Sequence, residues 1–123
     1  MAVDIELKAN VLHVTMSGVL TDADFTTIGT TVEDFEAGLD IVPPRICDMS
    51  AVTRIDIGFD EVWALAHRRQ QSDLRNNIRT ALVVQTLVQR GIARMFQTLN
   101  DHPLVNIRIF DDTESALEWL TES

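Results

Sequence analysis

Hydrophobic and polar residues alternate along several short stretches of the chain, a pattern that predicts strands with one buried face. Between the first two stretches, Ala9 and Asn10 suit a tight hairpin turn, since Asn tolerates a positive φ angle. One stretch, residues 78–84, is apolar almost throughout and is expected to be a central strand. The predicted strands are residues 3–7, 11–17, 46–49, 78–84 and 105–109.

Elsewhere the apolar residues recur every three or four positions, which predicts four amphipathic helices. Their apolar faces run from Phe25 to Leu39, Phe59 to Ala66, Val88 to Leu99 and Ala116 to Leu120. Three pairs of residues resemble N-terminal caps: Thr21 with Asp24, Thr86 with Gln89, and Asp111 with Glu114.

The resulting order, ββαβαβαβα, predicts a single α/β domain over residues 1–123 with a five-stranded mixed sheet. The first two strands are expected to form an antiparallel hairpin, followed by βα units. Because the first, second and fifth strands each have a polar face, we expect the four helices to pack mainly on one face of the sheet. This disfavours a three-layer flavodoxin-like sandwich. A second face without full cover also predicts a homodimer.

The composition of the chain argues against several classes of protein. The chain has 123 residues and a net charge of −9, which argues against binding to nucleic acid or to an anionic membrane surface. Its apolar runs are too short to cross a bilayer, so no membrane insertion is expected. The N-terminus has no signal-peptide pattern and Cys47 is the single cysteine, and both features predict a cytoplasmic protein.

Residue patterns typical of catalysis are missing from the sequence. There is no glycine-rich phosphate loop, and His13, His67 and His102 have no metal-ligand spacing with one another or with Cys47. We therefore predict no catalytic residues, no metal and no cofactor.

The stretch that follows the predicted strand 46–49 is the candidate functional site. Asp48 and Ser50 lie where this strand ends, and residues 50–58 are predicted to form a loop before a helix that begins near Gly58. In open α/β sheets, ligands and partners are usually bound at the carboxyl ends of the strands.

The same stretch resembles the signature of STAS domains, the fold shared by anti-sigma-factor antagonists and the cytoplasmic tails of sulfate transporters. In that family a strand ends in Asp-x-Ser, and Ile-Asp-Ser-Ser-Gly then opens a helix. The C-terminal residues 109–120 are similar to the ending of a bacterial SpoIIAA-like (STAS/SEC14-type) subgroup. The matching residues are Asp48, Ser50, Val52, Ile55, Asp56 and Gly58.

The resemblance implies a non-enzymatic regulatory module that binds a protein partner. In anti-sigma antagonists, a serine of the helix-opening pair is phosphorylated, but here Ile57 precedes Gly58 and has no hydroxyl. Ser50 and Thr53 are then the remaining candidate phosphoacceptors. The predicted partner-binding residues are Asp48, Ser50, Thr53, Asp56 and Gly58.

Two other functions remain open. The resemblance to SEC14-type folds implies a carrier or sensor of a small apolar or lipid-like ligand. An enzyme is the third alternative, with Asp48, His67 and Arg68 as the group to test. The apolar residues expected to form a ligand pocket are Phe59, Trp63, Ile92, Met95 and Phe96.

Overall fold

A computed structural model describes residues 2–71 and 74–122 and confirms the predicted α/β fold. The five strands form one sheet in the order β1-β2-β3-β4-β5, in which β1 is antiparallel to β2 and the others are parallel. The elements are β1 Val3–Lys8, β2 Val11–Thr21, α1 Asp22–Ala37, β3 Arg45–Asp56, α2 Phe59–Gln70, β4 Ile78–Val83, α3 Leu87–Leu99, β5 Val105–Phe110 and α4 Thr113–Thr121.

The predicted hairpin turn between β1 and β2 is present. Ala9 and Asn10 have φ angles of 48° and 64°, so both residues lie in the left-handed region that a two-residue hairpin turn requires. The turn fixes the register in which Val3 is opposite Met16 and Lys8 is opposite Val11.

Two strands are longer than their sequence pattern predicts. β2 continues to Thr21 and β3 to Asp56, and they pair with each other as far as these residues. β4 pairs with β3 only from Arg45 to Asp48, so the rest of β3 extends beyond the centre of the sheet. The pairing shifts register on either side of Ser17–Gly18, and such bulges interrupt the period-two alternation from which strands are recognised.

The helices occupy both faces of the sheet, three on one and one on the other. α1, α2 and α3 cover a core that includes Leu12, Val14 and Leu82. α4 packs on the opposite face, where Trp119 and Leu120 contact Ile46, Ala81 and Val83 in a second cluster. The expectation that helices pack mainly on one face is confirmed, and α4 covers part of the face that was expected to lie open.

The rest of that opposite face is polar. It lies on β1 and β2, where exposed Glu6 is paired with His13 and exposed Asp4 with Thr15. Each helix within the described residues is too short or too polar to span a bilayer.

Two glycines allow a matched stability test. Gly18 has a φ angle of +67°, a conformation that strains any residue with a Cβ atom, whereas Gly91 lies in α3 with open space around its Cβ position. The space at Gly91 shows that close packing does not require a glycine at this position. We expect Gly18→Ala to lower the free energy of unfolding by about 1 kcal/mol and Gly91→Ala to raise it by about 0.5–1 kcal/mol. Urea unfolding of both variants measures the two changes, and equal effects would contradict the assignment of strain to Gly18.

Candidate functional site

The residues predicted to form the partner-binding loop are spread along an extended strand. Residues 50–56 belong to β3, so the predicted loop is reduced to Ile57 and Gly58. At about 3.3 Å per residue, Asp48 and Asp56 are separated by roughly 25 Å. The sequence-based interpretation of residues 50–58 as a loop is therefore wrong. Its physical cause is the irregular pairing of β2 with β3, which breaks the alternation.

Within this strand, Asp48 and Ser50 interact with each other. The backbone N–H and the hydroxyl of Ser50 both donate to Oδ1 of Asp48, at 2.9 and 2.6 Å. Ser50, Thr53 and Asp56 are exposed, and Asp48 is half-buried. The carboxylate of Asp48 thus accepts two hydrogen bonds from Ser50, whose side chain lies at the surface.

The start of α2 is bound to the start of α1. Gly58 is the N-cap of α2 and has no side chain to cap it, and its backbone N–H donates to Oδ1 of Asp22 at 3.3 Å. The first turn of α2 adds Asp60 and Glu61, both acidic. The negative charge of these carboxylates makes the position unfavourable for a phosphate, which agrees with the missing serine before Gly58.

Exposed apolar side chains are concentrated at the same end of the sheet, where the parallel strands finish. Val19 lies two residues before the end of β2, Phe59 and Trp63 lie on the first two turns of α2, and Leu87 and Val88 begin α3; all five are between 46% and 87% exposed. We call these five residues the carboxyl-end surface. Trp63 is held in place by stacking on His67, with ring centroids 4.7 Å apart and planes at 8°.

An acidic rim accompanies this surface, because α1 and α2 both begin there and their first turns are acidic. Its carboxylates are Asp22, Asp24, Asp56, Asp60 and Glu61.

A cavity of about 100 Å³ lies between the sheet and helices α1, α2 and α3. Of the residues predicted to form an apolar pocket, Ile92 and Phe96 line this cavity. Phe59 and Trp63 are exposed on the carboxyl-end surface instead, and Met95 packs against the main core outside the cavity lining. The five residues therefore do not line this cavity together: Phe59 and Trp63 lie on the solvent-exposed side of α2, whereas Val62 of the same helix is buried.

At the end of the cavity where β3 begins, three charged side chains form a buried cluster. Arg45 is 4% exposed and its Nη2 lies 2.5 Å from Oε2 of Glu36, which is 9% exposed. Arg69 donates to both carboxylate oxygens of Glu36 at 2.9 and 2.8 Å. We call Arg45, Glu36 and Arg69 the buried charge cluster. It joins the last turns of α1 and α2 to the start of β3.

Sequence reasoning missed this cluster and the neighbouring Asn100. The position of Arg45 could have indicated it. Side chains two residues apart in a strand point to the same face of the sheet, so Arg45 lies on the covered face with Cys47 and Met49. Asn100 is the C-cap of α3, and no sequence pattern indicates that its amide is buried.

The ionisation of the buried groups follows from their surroundings. Burial alone raises the pKa of Glu36, but the hydrogen bond from Arg69 and the charges of Arg45 and Arg69 outweigh it and leave the pKa below its usual value. Burial lowers the pKa of Arg45, as does the charge of Arg69, although a guanidinium remains protonated at neutral pH. Burial raises the pKa of Cys47 to about 11, so the thiol on the cavity wall is protonated at neutral pH.

The three residues suggested for an enzyme do not form one site. Asp48 lies on the α4 face of β3, as Ile46 does, whereas His67 and Arg68 belong to α2 on the other face. Arg68 pairs with Glu33 of α1 at 3.0 Å. Across the described ranges, no group of three or more His, Cys, Asp or Glu side chains is arranged to hold a metal ion.

Comparison with known proteins gives two matches. The sequence model of the SpoIIAA-like family matches residues 11–121. A solved structure, of an uncharacterized protein of the DUF3478 family from Shewanella loihica PV-4 with a SpoIIAA-like fold, has a TM-score of 0.63 and 20% identity, over 97% of this chain and 92% of that chain. At this identity the likeness shows the fold alone. No significant match was found among curated proteins.

The buried charge cluster predicts how stability depends on pH. Because the pKa of Glu36 is lowered by folding, its contribution is fully present above about pH 4.5 and is lost as the pH falls through the folded-state pKa. Glu36→Gln leaves two buried guanidiniums without a carboxylate, and we expect it to lower the free energy of unfolding at pH 7 by about 3 kcal/mol. We also expect its stability to fall less steeply between pH 5 and pH 3 than that of the wild type.

Urea unfolding at several pH values measures both effects. Glu33→Gln is the matched control, since Glu33 also pairs with an arginine of α2 but is half-exposed, and it should change stability by less than about 1 kcal/mol. Equal losses in the two variants would show that burial does not strengthen the Glu36 contacts.

Proposed function

The chain belongs to the SpoIIAA-like family, and we propose that it is a non-enzymatic regulatory module that binds a protein partner through its carboxyl-end surface. The observation that carries this proposal is the exposure of Phe59 and Trp63, which are 56% and 46% exposed. Aromatic side chains at the surface are typical anchors of protein interfaces. In the described residues, the other large apolar side chains that are strongly exposed, Leu7 and Ile41, lie at the opposite end of the sheet.

The acidic rim defines the chemistry of the partner. A protein that covers the carboxyl-end surface needs an apolar centre and a basic surround, because carboxylates flank the apolar residues. A second copy of the chain carries the same negative rim and would be repelled there. The homodimer predicted from the sequence therefore needs a different surface, and it stays a prediction.

The residues of the predicted partner-binding stretch take different parts in this proposal. Asp56 and Gly58 lie beside the carboxyl-end surface, so a partner would touch them at the start of α2. Asp48, Ser50 and Thr53 lie farther back along β3 and would border the contact. A phosphate switch is not part of the proposal, since the α2 entrance is acidic and has no hydroxyl at Ile57.

A pull-down with substituted chains tests the partner proposal. We expect Trp63→Ala to weaken capture of the partner by about 2 kcal/mol, about 30-fold in affinity, because it removes a central anchor. Raising the salt concentration should weaken capture as well, since the rim is charged. Ile41→Ala is the matched control, because Ile41 is 75% exposed but lies before β3, away from this surface.

Unchanged capture by Trp63→Ala and Phe59→Ala would refute the proposed surface. Light scattering of the free chain tests the homodimer separately, and a mass of 13.8 kDa across the micromolar range would contradict it.

The cavity supports a second candidate function, the binding of a small ligand. Its wall is mostly apolar and includes Phe25, Ile28, Leu65 and Phe96, so a small apolar ligand could be carried or sensed there.

Filling the cavity tests this second function. Ala93 is 2% exposed and lies on the cavity wall, so Ala93→Leu should occupy the space that a ligand would use. We expect 1-hexanol and benzene to raise the melting temperature of the wild type by a few degrees, and to leave Ala93→Leu unchanged. Ala64→Leu, on the exposed side of α2, is the control for the added side chain. No shift in the wild type, together with no small molecule in native mass spectra, would refute ligand binding.

A further inference from the structure

The cavity has one apolar end and one polar end. Toward the carboxyl end of the strands its wall is formed by Met16, Phe25 and Met49. At the amino end, where the helices finish, the wall is formed by charged or polar side chains. These are Glu33, Arg45, Arg68, Arg69, Thr80 and Asn100.

Two residues at the polar end are buried and have polar atoms without hydrogen-bond partners. Among the described residues, Nε and Nη1 of Arg45, which is 4% exposed, have no acceptor, and Nδ2 and Oδ1 of Asn100, which is 7% exposed, have no partner. A buried polar group that stays unpaired destabilises the fold, because it has lost its hydrogen bonds to water. Thr80 stands next to Arg45 in the β3–β4 register, which places the polar atoms together at one end of the cavity.

Within the described residues, the buried charge cluster holds two guanidiniums and one carboxylate, because Arg45 and Arg69 both pair with Glu36. The carboxyl ends of α1, α2 and α3 add partial negative charge. The backbone acceptor of Arg45, however, is the carbonyl of Pro43, which Nη2 contacts at 3.4 Å, and Nε and Nη1 have no acceptor in the described part of the chain.

We infer that the cavity binds a short-chain monocarboxylate, with its carboxylate held by Arg45 and Asn100 and its alkyl chain directed along the apolar wall. This inference rests on the second function proposed above, the binding of a small apolar ligand, and names the chemical class of that ligand. The oxygens of a carboxylate accept hydrogen bonds from the guanidinium and the amide N–H groups and supply the missing negative charge. An ammonium head group would add a further positive charge beside Arg45.

The size of the cavity limits the chain. A closed apolar cavity of about 150 Å³ holds one benzene molecule, so about 100 Å³ suits a body of roughly four to six carbon atoms. Entry is expected between α1 and α2, because Glu33 and Arg68 are the exposed residues of the cavity wall. Gly29 allows the two helices to approach there, since a Cβ atom at this position would lie 2.7 Å from Nη1 of Arg68.

Nuclear magnetic resonance titration with three probes of equal chain length tests the inference. The probes are hexanoate, 1-hexanol and hexylamine, each added to the full chain at pH 7. We expect hexanoate to bind at least about tenfold more tightly than 1-hexanol, since bonds to a charged group are the stronger ones. Hexylamine should bind most weakly. The amide signals of Thr80 and Asn100 should shift with hexanoate more than those of the carboxyl-end surface.

Two variants assign the selectivity to its residues. Arg45→Met removes the guanidinium, and Asn100→Asp places a carboxylate beside Arg45 that competes with that of the ligand. Each of these two variants should reduce the affinity for hexanoate at least about tenfold. The affinity for 1-hexanol should change less than about threefold. If Arg45→Met fails to fold, Asn100→Asp alone decides, because its side chain has the same size as the original. Arg94→Gln, on the exposed side of α3, is the control.

The results distinguish ligand binding by the cavity from its selectivity for a carboxylate. If 1-hexanol binds as tightly as hexanoate, the cavity is a ligand site but the carboxylate inference is overturned. If none of the probes binds, ligand binding and the carboxylate inference both fail. Selectivity for hexanoate that survives in both variants would also overturn the assignment to Arg45 and Asn100.

Discussion

The position of one buried guanidinium constrains the amino end of this fold. Arg45 opens the central strand β3 and is covered by three helices, so its charge must be compensated inside the protein. Glu36, in the last turns of α1, supplies that compensation and also binds Arg69 at the last turns of α2. Two helices and a strand are thereby fixed relative to one another by one carboxylate. Farther along the covered face, the cavity is bounded by the apolar side chains of Met16, Phe25 and Met49.

That arrangement explains why a cavity persists in a small core. The buried charge cluster fixes the last turns of α1 and α2 at the start of β3, and the cavity lies beside it between these helices and the sheet. Two of the residues that face this space have small side chains, Ala93 of α3 and Cys47 of β3, and they leave it unfilled. Sites for small ligands are usually apolar pockets with a few polar groups at fixed positions, and this cavity has both features.

Much of the fold could be predicted from the sequence because local signals agreed with the tertiary structure. The alternation of β1 matched its half-exposed position, and Thr21 with Asp24 forms the expected capping box. At α4 the cap is Asp112 rather than Asp111, a shift of one residue that the pattern could not distinguish. The extension of β3 was missed because its outer half pairs through bulges, so neither face shows a regular apolar repeat.

The candidate sites were harder to predict, because they depend on which elements meet in space. Phe59 and Ile92 both lie on apolar positions of helices, yet one is exposed and the other lines the cavity. Helix periodicity identifies an apolar face and says nothing of what covers it. The same limit applies to Arg45, whose role appears only when the ends of α1 and α2 are brought beside β3. The long outer part of β3 then has a functional consequence: it separates the carboxyl-end surface from the buried charge cluster by most of the length of the strand. A substitution at either end should therefore leave the other intact, since sites with no shared contacts act independently.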